Sequence, residues 1–184
     1  ILNKIGMRGG VFMSTIKIEN LSFSYHGYVK PIFENVSFSF ETNWKIGLIG
    51  RNGIGKSTLF KLLLNEENYQ GKIIKDVELI KFPPNITDTS KSGIELYKEL
   101  IPDGEEWKLF RELSLLNVDE NLVYREFETL SKGEQTKILL AILFTREDGF
   151  LLIDEPTNHL DMDGRKIVSE YLKNKKGFLL ISHD

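Results

Sequence analysis

The chain has 184 residues, of which 41% are hydrophobic and 28% charged, with 5 Pro and no Cys. That is room for one ordinary domain with a buried core, and it excludes wholesale disorder, a disulfide framework, a zinc knuckle and a thiol nucleophile. A formal net charge of -3 excludes a broadly basic surface for non-specific nucleic-acid binding, though a local basic patch stays open. No apolar run approaches the ~20 residues that span a bilayer, and Ile1–Val11 lacks the apolar core of a signal peptide. A cytoplasmic domain is expected.

The first residue is Ile1, and Met7 and Met13 are candidate starts. Arg8-Gly9-Gly10 is what a purine-rich ribosome-binding site would encode if translated, so residues 1–12 are set aside as a leader outside the fold. Ile16–Leu21 and Val36–Phe40 alternate apolar and polar residues and predict half-buried strands, with a turn-rich stretch Tyr25-His26-Gly27-Tyr28 between them. Lys45–Ile49 predicts a short strand running into glycines, and Ser57–Asn65 a helix. Lys72–Phe82 reads as one strand, ended by Pro83-Pro84. Over about 87–129 the apolar residues fall at helical spacing, which predicts an inserted helical lobe. A helix over Thr136–Phe144, a buried strand Phe150–Ile153, a helix near Gly164–Leu172 and a strand Phe178–Ile181 follow. Strands alternating with helices imply an α/β fold with a mainly parallel core sheet. The sequence stops straight after an apolar strand, so residues 13–184 are expected to be one domain truncated at its carboxyl end.

The first chemical constellation is Gly50-Arg51-Asn52-Gly53-Ile54-Gly55-Lys56-Ser57-Thr58, which matches G-x-x-x-x-G-K-[ST] between a strand and a helix. Glycines let backbone N–H groups turn inward around phosphate oxygens, and the helix N-terminus adds its positive dipole. Lys56 would reach the β- and γ-phosphates of ATP, and the Ser57 hydroxyl would ligate Mg²⁺. The bland alternative is a Gly-rich turn with a solvated lysine. The second constellation is Phe150-Leu151-Leu152-Ile153-Asp154-Glu155-Pro156, an acidic pair at the carboxyl end of a buried strand, where ligands sit in open α/β sheets. Asp154 would hold Mg²⁺, and Glu155 would accept a proton from an attacking water. Its alternative is a strand that simply ends in a polar turn.

Leu130-Ser131-Lys132-Gly133-Glu134-Gln135, between the helical lobe and the acidic strand, resembles the signature motif of ATP-binding cassette (ABC) ATPases. Thr157-Asn158-His159-Leu160-Asp161 resembles that family's D-loop, His183 lies where it carries a switch histidine, and Tyr25 is similar to its adenine-stacking aromatic residue. The resemblance covers essentially 16–184 and implies a P-loop NTPase of the ABC type. Such a domain has a mainly parallel core sheet, an antiparallel β-subdomain and an inserted α-helical lobe. It implies ATP and Mg²⁺ as cofactors, with Glu155 and His183 catalytic. It also implies that Leu130, Ser131, Lys132, Gly133, Glu134 and Asp161 face the nucleotide of a second cassette.

Within the superfamily, Asn158-His159-Leu160-Asp161 and the signature wording most resemble the ABC-F group, and Asn43–Gly53 resembles the first cassette of its ribosomal-protection, antibiotic-resistance branch. That resemblance implies a soluble partner of the ribosome, with a second cassette in the same parent chain and no membrane-spanning segment. The alternatives are the ATPase subunit of a membrane transporter and an ATP-binding switch that does not hydrolyse. Two departures stand out. Lys132 replaces a signature glycine, and Pro83-Pro84-Asn85 occupies the place of the family's Q-loop glutamine.

Overall fold

The computed structural model describes residues 14–27 and 30–182. The leader 1–12 and His183 lie outside the described residues. Seven strands and five helices run β1 (Thr15–Phe23), β2 (Phe33–Glu41), β3 (Lys45–Leu48), α1 (Lys56–Leu63), β4 (Gln70–Ile74), β5 (Leu79–Phe82), α2 (Gly93–Leu100), α3 (Glu106–Leu115), α4 (Lys132–Phe144), β6 (Phe150–Asp154), α5 (Met162–Lys173) and β7 (Phe178–Ile181) among the described residues. Short 3-10 turns at Glu120–Tyr124 and Phe127–Thr129 lead into α4. An antiparallel sheet has the order β2-β1-β4, and a parallel sheet has the order β3-β7-β6-β5. This is the expected α/β architecture.

Burial on both faces explains the apolar runs of the parallel sheet. Along β6, Phe150 and Leu152 join α1 and β1 in one core, while Leu151 and Ile153 join α4 and the helical lobe in another. β7 divides the same way, with Leu179 and Ile181 on the α1 side and Phe178 on the lobe side. Asp154, the next residue, therefore emerges at the carboxyl edge of a central strand whose direction is fixed by two cores. In β1, Leu21 is out of phase with Ile16 and Ile18. A bulge with Asn20 at φ 52 restores the phase, so Ile16, Ile18, Leu21 and Phe23 are all buried.

Three expectations need correction. Lys72–Phe82 is two strands: β4 pairs with β1 and β5 with β6, in different sheets. Between them Lys75 donates from Nζ to the Leu63 carbonyl at 2.5 Å, a cationic contact with one carbonyl at the carboxyl end of α1. The β2 strand is not half-buried, because it is an edge strand: only Phe40 is buried and Phe38 is 38% exposed. The helix expected from Thr136 begins at Lys132, after Ser131. The Ser131 hydroxyl accepts from the Glu134 amide at 3.2 Å, and the Glu134 carboxylate accepts from the Ser131 amide at 2.8 Å. This capping box starts the helix before the apolar pattern does.

Candidate functional site

The loop between β3 and α1 places its groups by backbone conformation. Gly55 caps α1 at φ 103, a region that penalises side chains, and a Cβ there would lie 2.4 Å from Cγ2 of Ile32. The Lys56 ammonium bends back over the loop, donating to the Gly50 carbonyl at 2.6 Å and the Arg51 carbonyl at 3.2 Å. Ser57 is exposed in the first turn of α1, while Thr58 is buried. The ammonium and the first amides of α1 thus lie together at the mouth of the loop, which suits an anion carrying several charges.

A cleft of about 320 Å³ brings the loop residues Asn52, Gly53, Gly55, Lys56, Ser57 and Thr58 together with Asp154 and Glu155. Tyr25 and two apolar residues not foreseen, Ile32 and Ile181, complete it. Ile32 carries no sequence signal of this role. Gly50, Arg51 and Ile54 shape the loop without lining the cleft. Glu155 adopts φ 48, which is costly for a residue with a Cβ, and its amide donates to the Ile181 carbonyl at 2.9 Å. β7 thereby fixes the turn that aims the second carboxylate.

Hard oxygen donors from Ser57 and Asp154 border the same cleft, and they fit Mg²⁺. Among the described residues no group of three or more His, Asp or Glu side chains could enclose a metal alone. An ion here would take its remaining ligands from phosphate and water, as Mg²⁺ usually does.

Tyr25 is half-buried at the other side of the loop. Its hydroxyl lies 3.3 Å from the Thr58 hydroxyl, and its ring meets Phe23 edge-on at 4.8 Å. An aromatic face held this way can stack a base. Tyr25→Ala is expected to weaken binding of an ATP analogue by ~1–2 kcal/mol, by analogy with base–aromatic stacking. Tyr25→Phe keeps the face and loses the Thr58 contact. Unchanged affinity for the alanine variant in a fluorescence titration would remove Tyr25 from the site.

The Leu130–Gln135 stretch is organised by contacts within its own chain. Leu130 is buried in the lobe core, and Ser131 and Glu134 form the capping box. The Ser131 hydroxyl, and then its amide, hold the Glu134 carboxyl below its ordinary value. That contribution is complete above the unfolded-state value and is lost as the pH falls. Gly133 packs on Leu160, since a Cβ would sit 3.3 Å from Cδ2 of that residue. Asp161 caps α5, accepting from the Gly164 amide at 2.7 Å. Gln135, absent from the expected site residues, is buried and donates to the carbonyls of Phe127 at 2.8 Å and Leu130 at 3.1 Å.

A family model described as ABC transporter matches residues 33–158. The chain is 34% identical over 176 residues to the ATP-binding protein YheS of Escherichia coli strain K12, covering 92% of this chain and 27% of that protein. It is 28% identical over 185 residues to ABC transporter F family member 5 of Arabidopsis thaliana, covering 96% of this chain and 26% of that protein. The chain therefore spans about a quarter of the length of these relatives. An ABC transporter ATP-binding protein from Pyrococcus furiosus has a similar fold, with a TM-score of 0.77 at 22% identity over 92% of each chain.

Proposed function

Because the chain belongs to the ABC transporter family of ATP-binding cassettes, we propose that it is the ATP-hydrolysing cassette of an ABC-F-type protein, acting on the ribosome in the cytoplasm and paired with a second cassette. The observation that carries this reading is the single cleft holding Lys56, Ser57, Asp154 and Glu155. The ABC-F assignment draws on the likeness to the Arabidopsis F-family protein and on the Asn158–Asp161 wording.

The proposed reaction is attack of water on the γ-phosphate of ATP, giving ADP and phosphate. Gly50–Thr58 cradle the phosphates, Tyr25 stacks on adenine, and Lys56 leaves its loop carbonyls for the β- and γ-phosphate oxygens. Ser57 and Asp154 hold Mg²⁺, which neutralises phosphate charge when bound. Glu155 takes the proton of the attacking water. His183 is assigned the switch role on the resemblance alone. Ser131 and Gly133 are assigned to the nucleotide of the second cassette, so that two cassettes close around ATP.

Loss of the Lys56 ammonium removes a charge-assisted contact worth ~1.5–3 kcal/mol. Titration with a fluorescent ATP analogue and Mg²⁺ should show Lys56→Ala binding roughly 10- to 100-fold more weakly. Equal affinity would sink the ATP-site reading.

A second reading, the ATPase subunit of a membrane transporter, is favoured by the fold likeness to a transporter ATP-binding protein. No helix among the described residues is long and apolar enough to cross a membrane. The two readings part on whether the parent protein sediments with ribosomes or with membranes.

A further inference from the structure

The peptide unit that joins Leu130 to Ser131 is held at both of its polar ends by side chains of α4. Its N–H donates to the Glu134 carboxylate at 2.8 Å, and its carbonyl accepts from the Gln135 amide nitrogen at 3.1 Å. The same nitrogen donates at 2.8 Å to the carbonyl of Phe127, which opens the last 3-10 turn of the lobe. The Gln135 side-chain oxygen accepts from the Lys132 ammonium at 3.0 Å. One side chain thus ties together the lobe, the residue before Ser131 and the residue after it.

The two holds on this peptide differ in kind. The Glu134 bond is exposed, so water can replace either partner. The Gln135 bonds are buried, and a carbonyl left there without its donor has no such replacement. A reversed amide would set N–H groups against the Lys132 ammonium and oxygen against two carbonyls, so the side chain has one orientation. Leu130 and Gln135 are buried, whereas Ser131 and Lys132 are exposed. The chain therefore surfaces at Ser131 with its direction set from below. Because a peptide unit is planar, holding both of its ends fixes its plane and the course of the backbone that follows.

The geometry points to Gln135 as the positioning residue of the signature segment. From inside the lobe it sets the plane of the Leu130–Ser131 peptide, and so the aim of Ser131 and Gly133 at the nucleotide of the second cassette. This rests on the two-cassette reading given above. Gln135 acts here through Ser131 and leaves the phosphate loop of its own chain untouched. Since the cassettes close around ATP together, a misaimed segment on one of them slows the whole cycle. A displacement of ~1 Å at a group acting on the reacting atoms can cost on the order of 10²-fold in rate.

Turnover by a two-cassette protein carrying this domain tests this role, alongside ATP titration and urea unfolding of the 184-residue chain. Gln135→Met keeps the length and removes the donors. At saturating ATP it should lower phosphate release about 10- to 100-fold, while the single chain binds a fluorescent ATP analogue as the wild type does. Gln135→Glu keeps the shape, but a carboxylate has no N–H to give, and it should behave in the same way. A merely structural role would lower the unfolding midpoint and leave the rate per folded molecule near that of the wild type. Wild-type turnover in folded Gln135→Met, a loss of ATP affinity in the single chain, or failure of both variants to fold would each overturn the proposal. Ser131→Ala separates it from the reading beneath it. If that variant slowed turnover and Gln135→Met did not, the positioning role alone would fall. If Ser131→Ala turned over at the wild-type rate, Ser131 would serve no second nucleotide, and both would fall.

Discussion

Glu155→Gln, in a two-cassette protein carrying this domain, is expected to lower ATP turnover by ~100-fold or more while leaving ATP binding and closure in place. General-base catalysis contributes roughly 10²–10⁴ to rate, and an amide of the same shape has no basic oxygen to take the proton. The backbone makes this comparison clean. Glu155 sits at φ 48 with its amide bonded to the Ile181 carbonyl at 2.9 Å, and glutamine carries the same Cβ into the same conformation. The local strain and the β7 contact are therefore unchanged, and any loss of rate belongs to the carboxylate. Steady-state phosphate release, with nucleotide affinity measured in parallel, separates the outcomes. A variant that hydrolyses ATP at the wild-type rate would show that another group activates the water. A variant that loses both binding and turnover would point to collapse of the Asp154–Glu155 turn instead.

The site was legible where spacing alone determines chemistry. Gly50–Thr58 needs only local backbone conformation and the helix that follows, and the apolar run Phe150–Ile153 delivers Asp154 to the strand end by alternate burial on two faces. Other features depend on distant contacts and left no local mark. The break between β4 and β5 lies in their partners, since β4 pairs with β1 and β5 with β6, and nothing within Lys72–Phe82 records those distant strands. The exposure of β2 follows from its place at the sheet edge, which alternation cannot reveal.

Glu112→Ala is expected to destabilise the domain by ~3–5 kcal/mol, the scale for removing one partner from a buried ionic group. Glu112 belongs to α3 of the helical lobe and is fully buried. One carboxylate oxygen accepts from the Tyr171 hydroxyl of α5 at 2.6 Å and pairs with the Lys175 ammonium, while the other accepts from Arg111 at 3.0 Å. Burial, and then the hydrogen bond with Glu112, push the Tyr171 phenol far above its ordinary value, so it stays a donor across the working pH range. The Lys175 ammonium also lies 4.5 Å from the Tyr171 ring centre and 5.4 Å from that of Phe144, largely out of water. Without Glu112 that ammonium loses its counter-charge, the phenol loses its acceptor, and a cavity opens in the joint between lobe and core. Glu112→Gln keeps an acceptor and should cost less. Glu112→Met combined with Lys175→Met removes the charges together and should lose less stability than Glu112→Ala alone, because burying a charge pair yields little net free energy even though breaking one is expensive. Urea unfolding of the variants gives the comparison directly. If Glu112→Ala unfolded within ~1 kcal/mol of the wild type, the α3–α5 joint would rest on its apolar contacts, and the buried carboxylate would be incidental to how the lobe is held.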